Sequence, residues 1–74
     1  MKTRVLCPTA MAAVLLTTIL ELEGHRAVWF HTDDGIAVAT CAPLTALDCS
    51  IQTCETALHV PAHQRTKRPE VTNA

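Results

Sequence analysis

A chain of 74 residues has room for one small domain, and a domain of this size buries only a limited part of its surface. Aromatic residues make up 3% of the composition, so a core must be built from Leu, Val, Ile, Ala and Met. The net charge of −1 argues against a general nucleic-acid-binding protein, because such a protein needs a basic surface.

The first third of the chain predicts a short strand followed by a helix. Residues 2–6 (KTRVL) suit a strand that the following proline ends. Thr9 is placed to cap a helix over 10–23, because its hydroxyl can accept a hydrogen bond from a free amide of the first turn. Gly24 fits the left-handed position that ends many helices. Four residues fall on one stripe of this helix: Met11, Leu15, Thr18 and Leu22.

The same region has a second interpretation as a targeting segment. Basic residues precede an uncharged run over 5–20, which is typical of the first two regions of a signal peptide. The early Pro8 and the bulky, acidic end of the run disfavour this interpretation. The run also has about 16 residues, fewer than the ~20 that a spanning helix needs.

The middle of the chain predicts a second strand over 26–31 and a turn over 32–35 (TDDG). Two interpretations of 36–40 (IAVAT) stay open. As a strand, this segment forms a hairpin with the second strand. As a short Ala-rich helix, it makes the turn a βα loop with Asp33 or Asp34 as the cap. The β-branched residues favour the hairpin.

The last third predicts one more strand and a helix. Residues 47–52 (LDCSIQ) suit a third short strand, and residues 54–59 suit a helix that Pro61 ends. The segment 61–74 is polar and basic, and we expect it to be a disordered tail.

The four cysteines allow several interpretations, none of which has a recognised motif behind it. They are Cys7, Cys41, Cys49 and Cys54. An even number is compatible with disulfides if the protein is secreted. A zinc site would have to use the last two cysteines with His59 and His63, but their spacing leaves no loop to fold over the metal. Ordinary buried cysteines are favoured, and no metal is expected.

Residues 20–25 (LELEGH), followed by an apolar strand and an Asp-Gly turn, resemble the first helix and second strand of a response-regulator receiver domain. The resemblance implies an α/β fold: an incomplete flavodoxin-like βαβαβ unit with a three-stranded parallel sheet over 1–60, marginally stable, before the tail. It favours a helix at 36–40 and leaves the third strand as an open edge.

The positions that carry a receiver's chemistry lack acids here. Cys7 and Pro8 stand where the resemblance places the paired acids, and Thr53 stands at the position of the phosphoacceptor aspartate. Phosphotransfer to an aspartate needs a carboxylate nucleophile and a bound Mg²⁺, which takes oxygen ligands. We therefore expect these three positions to be non-functional and the protein not to be an enzyme.

The sequence predicts a truncated, receiver-like protein that is not phosphorylated and acts in two-component signalling by binding proteins. A protein partner, or self-association, is expected through the first helix or the open sheet edge, without nucleic acid, membrane or cofactor, in the cytoplasm. The alternatives are a small secreted protein with a Cys41–Cys54 or Cys49–Cys54 disulfide, and a decayed reading frame without a function.

Overall fold

An antiparallel sheet and two helices make up residues 3–65 and 70–71, the part of the chain that the computed structural model describes. The elements are β1 (Thr3–Cys7), α1 (Ala10–Leu22), β2 (Ala27–Thr32), β3 (Gly35–Thr40), α2 (Leu44–Leu58) and the two-residue strand β4 (Glu70–Val71). The strand order in the sheet is β2-β3-β1-β4.

The third strand lies between the first two and runs antiparallel to both. Val38 pairs with Val5 of β1 on one side and with Trp29 of β2 on the other. β1 and β2 are therefore parallel to each other but not adjacent, and the predicted parallel sheet is wrong. The tight turn after Thr32 folds β3 back onto β2, which makes these two strands antiparallel. The other edge of β3 then pairs with β1, so β3 separates the two strands that were predicted to be neighbours.

The hairpin at 26–40 confirms the interpretation that the β-branched residues favoured, and the helix favoured by the family resemblance is wrong. Thr32 pairs with Gly35 across the turn formed by Asp33 and Asp34. The Thr32 hydroxyl donates to the Gly35 carbonyl at 3.0 Å and accepts from the Asp34 amide at 3.2 Å. The Thr32 side chain therefore stabilises the turn through hydrogen bonds to two of its backbone groups.

Both ends of α1 form as the sequence predicts. The Ala12 amide donates to Thr9 Oγ1 at 3.1 Å, which confirms the N-cap. Gly24 has a φ of 89°, in the left-handed region. The amides of Gly24 and His25 donate to the Glu21 and Leu20 carbonyls at 3.0 and 2.9 Å, the pattern of a Schellman ending.

The predicted third strand at 47–52 is wrong, because these residues belong to α2. Leu47, Ser50 and Cys54 are its buried residues, and their spacing of three and four is the helical period. The strand was predicted from the local composition of this segment. Its buried side chains follow the helical period and not the alternation of a strand, so the composition was misleading.

The core lies between the helices and one face of the sheet. The residues of α1 that enter it are Ala12, Ala13, Leu16, Thr17 and Leu20. The predicted stripe lies mostly on the other side of the helix: Met11 is 68% exposed and Leu22 is 82% exposed, whereas Leu15 is half-buried against the core. Ala12 and Ala13 are thus buried while Met11 and Leu22 are exposed, so small residues help to mark the buried side of α1.

The predicted tail is described only in part. Ala62–Gln64 form a single 3-10 turn after Pro61, and Glu70–Val71 pair with β1. Residues 66–69 and 72–74, which belong to the predicted tail, lie outside the described residues.

Candidate interaction surface

Of the three positions that the resemblance compares with a receiver's acids, Cys7 and Pro8 are adjacent, and Thr53 lies more than 8 Å from Cys7 between Cα atoms. Cys7 ends β1 and is buried, Pro8 follows it and is exposed, and Thr53 lies on the exposed side of α2. Burial, followed by the charges of Cys54 and Glu55, raises the pKa of the Cys7 thiol to about 12. The Thr53 hydroxyl donates to the Cys49 carbonyl at 2.9 Å within its own helix. None of these side chains provides a carboxylate.

The four cysteines are free thiols, two of them buried and two exposed. No Cα of β1 lies within 8 Å of a Cα in α2, so Cys7 and Cys54 are beyond the reach of a disulfide. Cys54 Sγ donates to the Ala12 carbonyl at 3.5 Å, and burial raises the pKa of this thiol. The Cys41–Cys54 and Cys49–Cys54 disulfides of the secreted alternative are absent from this structure. Among residues 3–65 and 70–71, no three His, Cys, Asp or Glu side chains gather into a metal site.

One cleft of about 430 Å³ brings Cys7 near Asp34, His63 and Arg65. This is the arrangement closest to a catalytic group, since it contains a thiol, a carboxylate and an imidazole. The raised pKa of Cys7 keeps its thiol protonated at neutral pH, and a thiol is a poor nucleophile in that form. The cleft therefore gives no support for catalysis.

The helix α1 packs on one face of the sheet and α2 packs on α1, with side chains of both helices in the core cluster on that face. The core residues of β1 are Val5 and Cys7, and Val5 is paired with the core residue Val38. Directly paired residues of an antiparallel ladder share a face, so the intervening residues lie on the opposite face. Across that face runs a row of three apolar residues, Leu6, Ala37 and Phe30, of which Ala37 is buried and the other two are half-buried. We call this side of the sheet the open face, since no described helix packs on it.

The outer edge of β2 has unpaired backbone groups among the described residues. The Cys41 amide donates to the Arg26 carbonyl at 3.4 Å, so Arg26 directs its backbone toward β3. Because this direction alternates along a strand, Ala27, Trp29 and His31 direct their N–H and C=O groups away from the sheet. We call this row of backbone groups the free edge.

The side chains of β2 leave the free edge accessible. Val28 is 48% exposed on the open face, and Trp29 is 39% exposed on the helix face. The Trp29 and His31 rings meet edge to face, with their centroids 6.0 Å apart. The strand contains no Pro, Lys or other charged residue of the kind that commonly protects an edge from pairing.

Family models, curated proteins and solved structures give no match to this chain. The receiver resemblance of residues 20–25 thus stays a prediction, and the surface has to be interpreted from its own chemistry. In the described ranges, no helix combines the length and the apolar character needed to cross a bilayer.

Sequence reasoning placed the open edge on the wrong strand. It expected the edge at residues 47–52, which are helical, whereas the free edge belongs to Ala27–Thr32. The signal for it was the uncharged strand itself, bounded by Arg26 on one side and by Asp33 and Asp34 on the other. Identifying the edge required knowing that β3 lies inside the sheet.

Proposed function

We propose that this chain is a non-catalytic protein-interaction module that binds an extended protein segment along the free edge of β2. The observation that carries the proposal is the row of outward backbone groups of Ala27, Trp29 and His31. An added strand would satisfy these donors and acceptors with main-chain hydrogen bonds, which give affinity without dependence on one sequence.

The side chains beside the free edge support binding of a strand. Val28 and Phe30 lie on the open face and Trp29 lies on the helix face, so a partner strand meets apolar surface on both sides. Exposed apolar area next to unpaired backbone groups is the combination that strand addition uses. The link to two-component signalling depends only on the resemblance of residues 20–25.

The first helix offers the other surface that the sequence predicted. Met11 and Leu22 lie on the solvent-facing stripe of α1 and are its most exposed apolar residues. This stripe supplies apolar area but no row of outward backbone groups that a strand could pair with, because the backbone of a helix bonds along its own axis. We therefore favour the free edge, and use the stripe as a control.

Strand addition can be tested with a short synthetic peptide of alternating Thr and Val, added to dilute protein and followed by amide NMR. We expect the Ala27, Trp29 and His31 amides to gain protection from hydrogen exchange. Val28 and Phe30, which direct their amides toward β3, should change little. Equal changes along the whole strand, or none, would contradict the proposal.

Two substitutions at one position make the test specific. His31→Pro removes an outward donor and should abolish peptide binding, since edge strands tolerate proline when the lost N–H faces outward. His31→Ala removes the same ring but keeps the donor, and should still bind. The double variant Met11→Ser and Leu22→Ser should bind as the wild type does, and a loss of binding in it would assign the interaction to α1 instead.

A further inference from the structure

The partner of the free edge can be named from the charges around β2. We infer that the segment added to it is β2 of a second copy of this chain, in an antiparallel pair centred on Trp29. This inference depends on the proposed function, because it uses the same edge and specifies what fills it.

The backbone pattern selects the register. A two-fold axis perpendicular to the sheet at Trp29 pairs that residue with its equivalent and pairs Ala27 with His31 of the second copy. These are the three residues of β2 that direct backbone groups outward. Every outward group of the strand then has a partner, and the two sheets join without a gap. A register centred on Phe30 would leave Ala27 opposite the turn.

The charges at the two ends of β2 select the antiparallel direction. Arg26 precedes the strand, and Asp33 and Asp34 follow it. An antiparallel pair brings the basic end of one copy to the acidic end of the other, at two symmetric places. A parallel pair would place like charges together. Within one chain the two ends are about 25 Å apart, so they do not pair with each other.

The side chains also fit the antiparallel pair. Val28 lies opposite Phe30 of the second copy on the open face, and the two Trp29 rings lie next to each other on the helix face. Cross-strand aromatic and β-branched pairs of this kind stabilise an antiparallel ladder. The exposed apolar area on both faces of β2 thus becomes covered by the same contact.

The first test measures the mass of the purified chain over a wide range of concentration by sedimentation. We expect a reversible monomer–dimer equilibrium, with the emission of the single tryptophan, Trp29, shifting to shorter wavelength as the dimer forms. A monomer at every concentration would overturn the inference.

The decisive test uses two charge reversals. Arg26→Asp leaves acidic groups at both ends of the strand, and the double variant Asp33→Arg and Asp34→Arg leaves basic groups at both ends. Each variant alone should dimerise about tenfold or more weakly than the wild type, because two attractive contacts become repulsive. An equimolar mixture should form the heterodimer, in which both contacts are attractive again. Recovery on mixing shows that the variants are folded.

A reversal elsewhere provides the matched control. Asp48 is an exposed acid on α2, a helix with no Cα within 8 Å of a Cα in β2. Asp48→Lys should leave the dimer unchanged, and a dimer weakened as much as by Arg26→Asp would overturn the inference, as would a mixture that stays monomeric.

The outcomes separate this inference from the proposed function. If the Thr-Val peptide protects the free edge while the chain alone stays monomeric, self-pairing is wrong and the interaction module stands. If neither the peptide nor a second copy binds, both are wrong.

Discussion

The Thr40 side chain is fully buried, yet both of its hydrogen-bonding functions are used. Its hydroxyl donates to the Arg26 carbonyl at 2.7 Å and accepts from the Ala42 amide at 3.1 Å. It therefore holds the start of β2 and the residue leading into α2 to the end of β3. A buried polar group with both partners present contributes to stability, whereas its removal leaves the Ala42 amide unpaired and the Arg26 carbonyl with only the 3.4 Å bond from the Cys41 amide.

We predict that Thr40→Val lowers the free energy of unfolding by about 1–3 kcal/mol, because the buried Ala42 amide loses its partner and the Arg26 carbonyl loses its shorter hydrogen bond. The control is Thr18→Val, which also removes a hydroxyl bonded to a carbonyl, that of Val14, but on an exposed side of α1. It should change the free energy by less than about 0.5 kcal/mol. Urea unfolding measures both, and equal effects would contradict the role given to Thr40.

Two residues with positive φ end the two helices in different ways. Gly24 has no atom within 4 Å of the position of an added Cβ, so Gly24→Ala should cost about 1 kcal/mol through backbone strain alone. His59 ends α2 with a φ of 52°, where a side chain is strained. His59→Gly should therefore stabilise the chain by several tenths of a kcal/mol. Thermal unfolding of the pair checks the opposite signs.

The buried thiol of Cys7 makes stability depend on alkaline pH. Its folded pKa of about 12 lies above the ordinary value of 9.0, so the folded state holds the proton more tightly than the unfolded state. The resulting stabilisation is complete below about pH 9 and is lost as the pH rises toward 12. Urea unfolding under reducing conditions should show this decline, and it should be smaller in Cys7→Ala. The chain has no Tyr, so phenol ionisation does not contribute.

At the scale of elements, α2 depends on a single large buried side chain. Leu47 is fully buried, whereas Leu44, one turn earlier, is 48% exposed. Leu47→Ala should cost about 2–5 kcal/mol, a large part of the stability of a domain this small. Leu44→Ala removes the same atoms and should cost less than about 1 kcal/mol. Denaturant unfolding compares them, and similar losses would show that α2 is loosely packed.

Local chemistry explains which elements the sequence could predict. The limits of α1 follow from Thr9 and Gly24, whose effects act within one turn, and the β2–β3 hairpin follows from a short turn between two β-prone segments. The first half of α2 was not predicted, because its buried spacing matters only once a partner helix exists. In the structure, Ser50 donates to Glu23 Oε2 at 3.4 Å, a contact between residues far apart in the chain.

The position of β3 in the sheet could not be predicted either, because it also depends on contacts between distant segments of the chain. Its pairing with β1, such as Leu6 with Ala37, joins segments that are separated by a whole helix and a strand. No local pattern specifies which strand lies in the middle. The free edge consequently could not be predicted. The sequence shows that β2 is apolar and uncharged, but it does not show that one edge of β2 is left unpaired.

At the scale of the whole molecule, the core among the described residues consists of aliphatic side chains and two cysteines, with no aromatic residue. The sequence predicts marginal stability for such a domain, and pairing with a second copy would add to it. We therefore expect the melting temperature to rise with protein concentration. His31→Pro, which blocks the free edge, should melt at a temperature independent of concentration. An unchanging melting temperature in the wild type would mean that folding and pairing are not linked.

The distribution of the cysteines has a practical consequence for following these events. Cys41 and Cys49 are accessible, whereas Cys7 and Cys54 are enclosed between the layers. An alkylating reagent would modify the first pair at once and the second pair only when the helices part from the sheet. Alkylation of Cys7 and Cys54 thus reports unfolding of the core, and alkylation of Cys41 and Cys49 gives the rate for exposed thiols in the same sample. Mass spectrometry can compare the two rates without any engineered label.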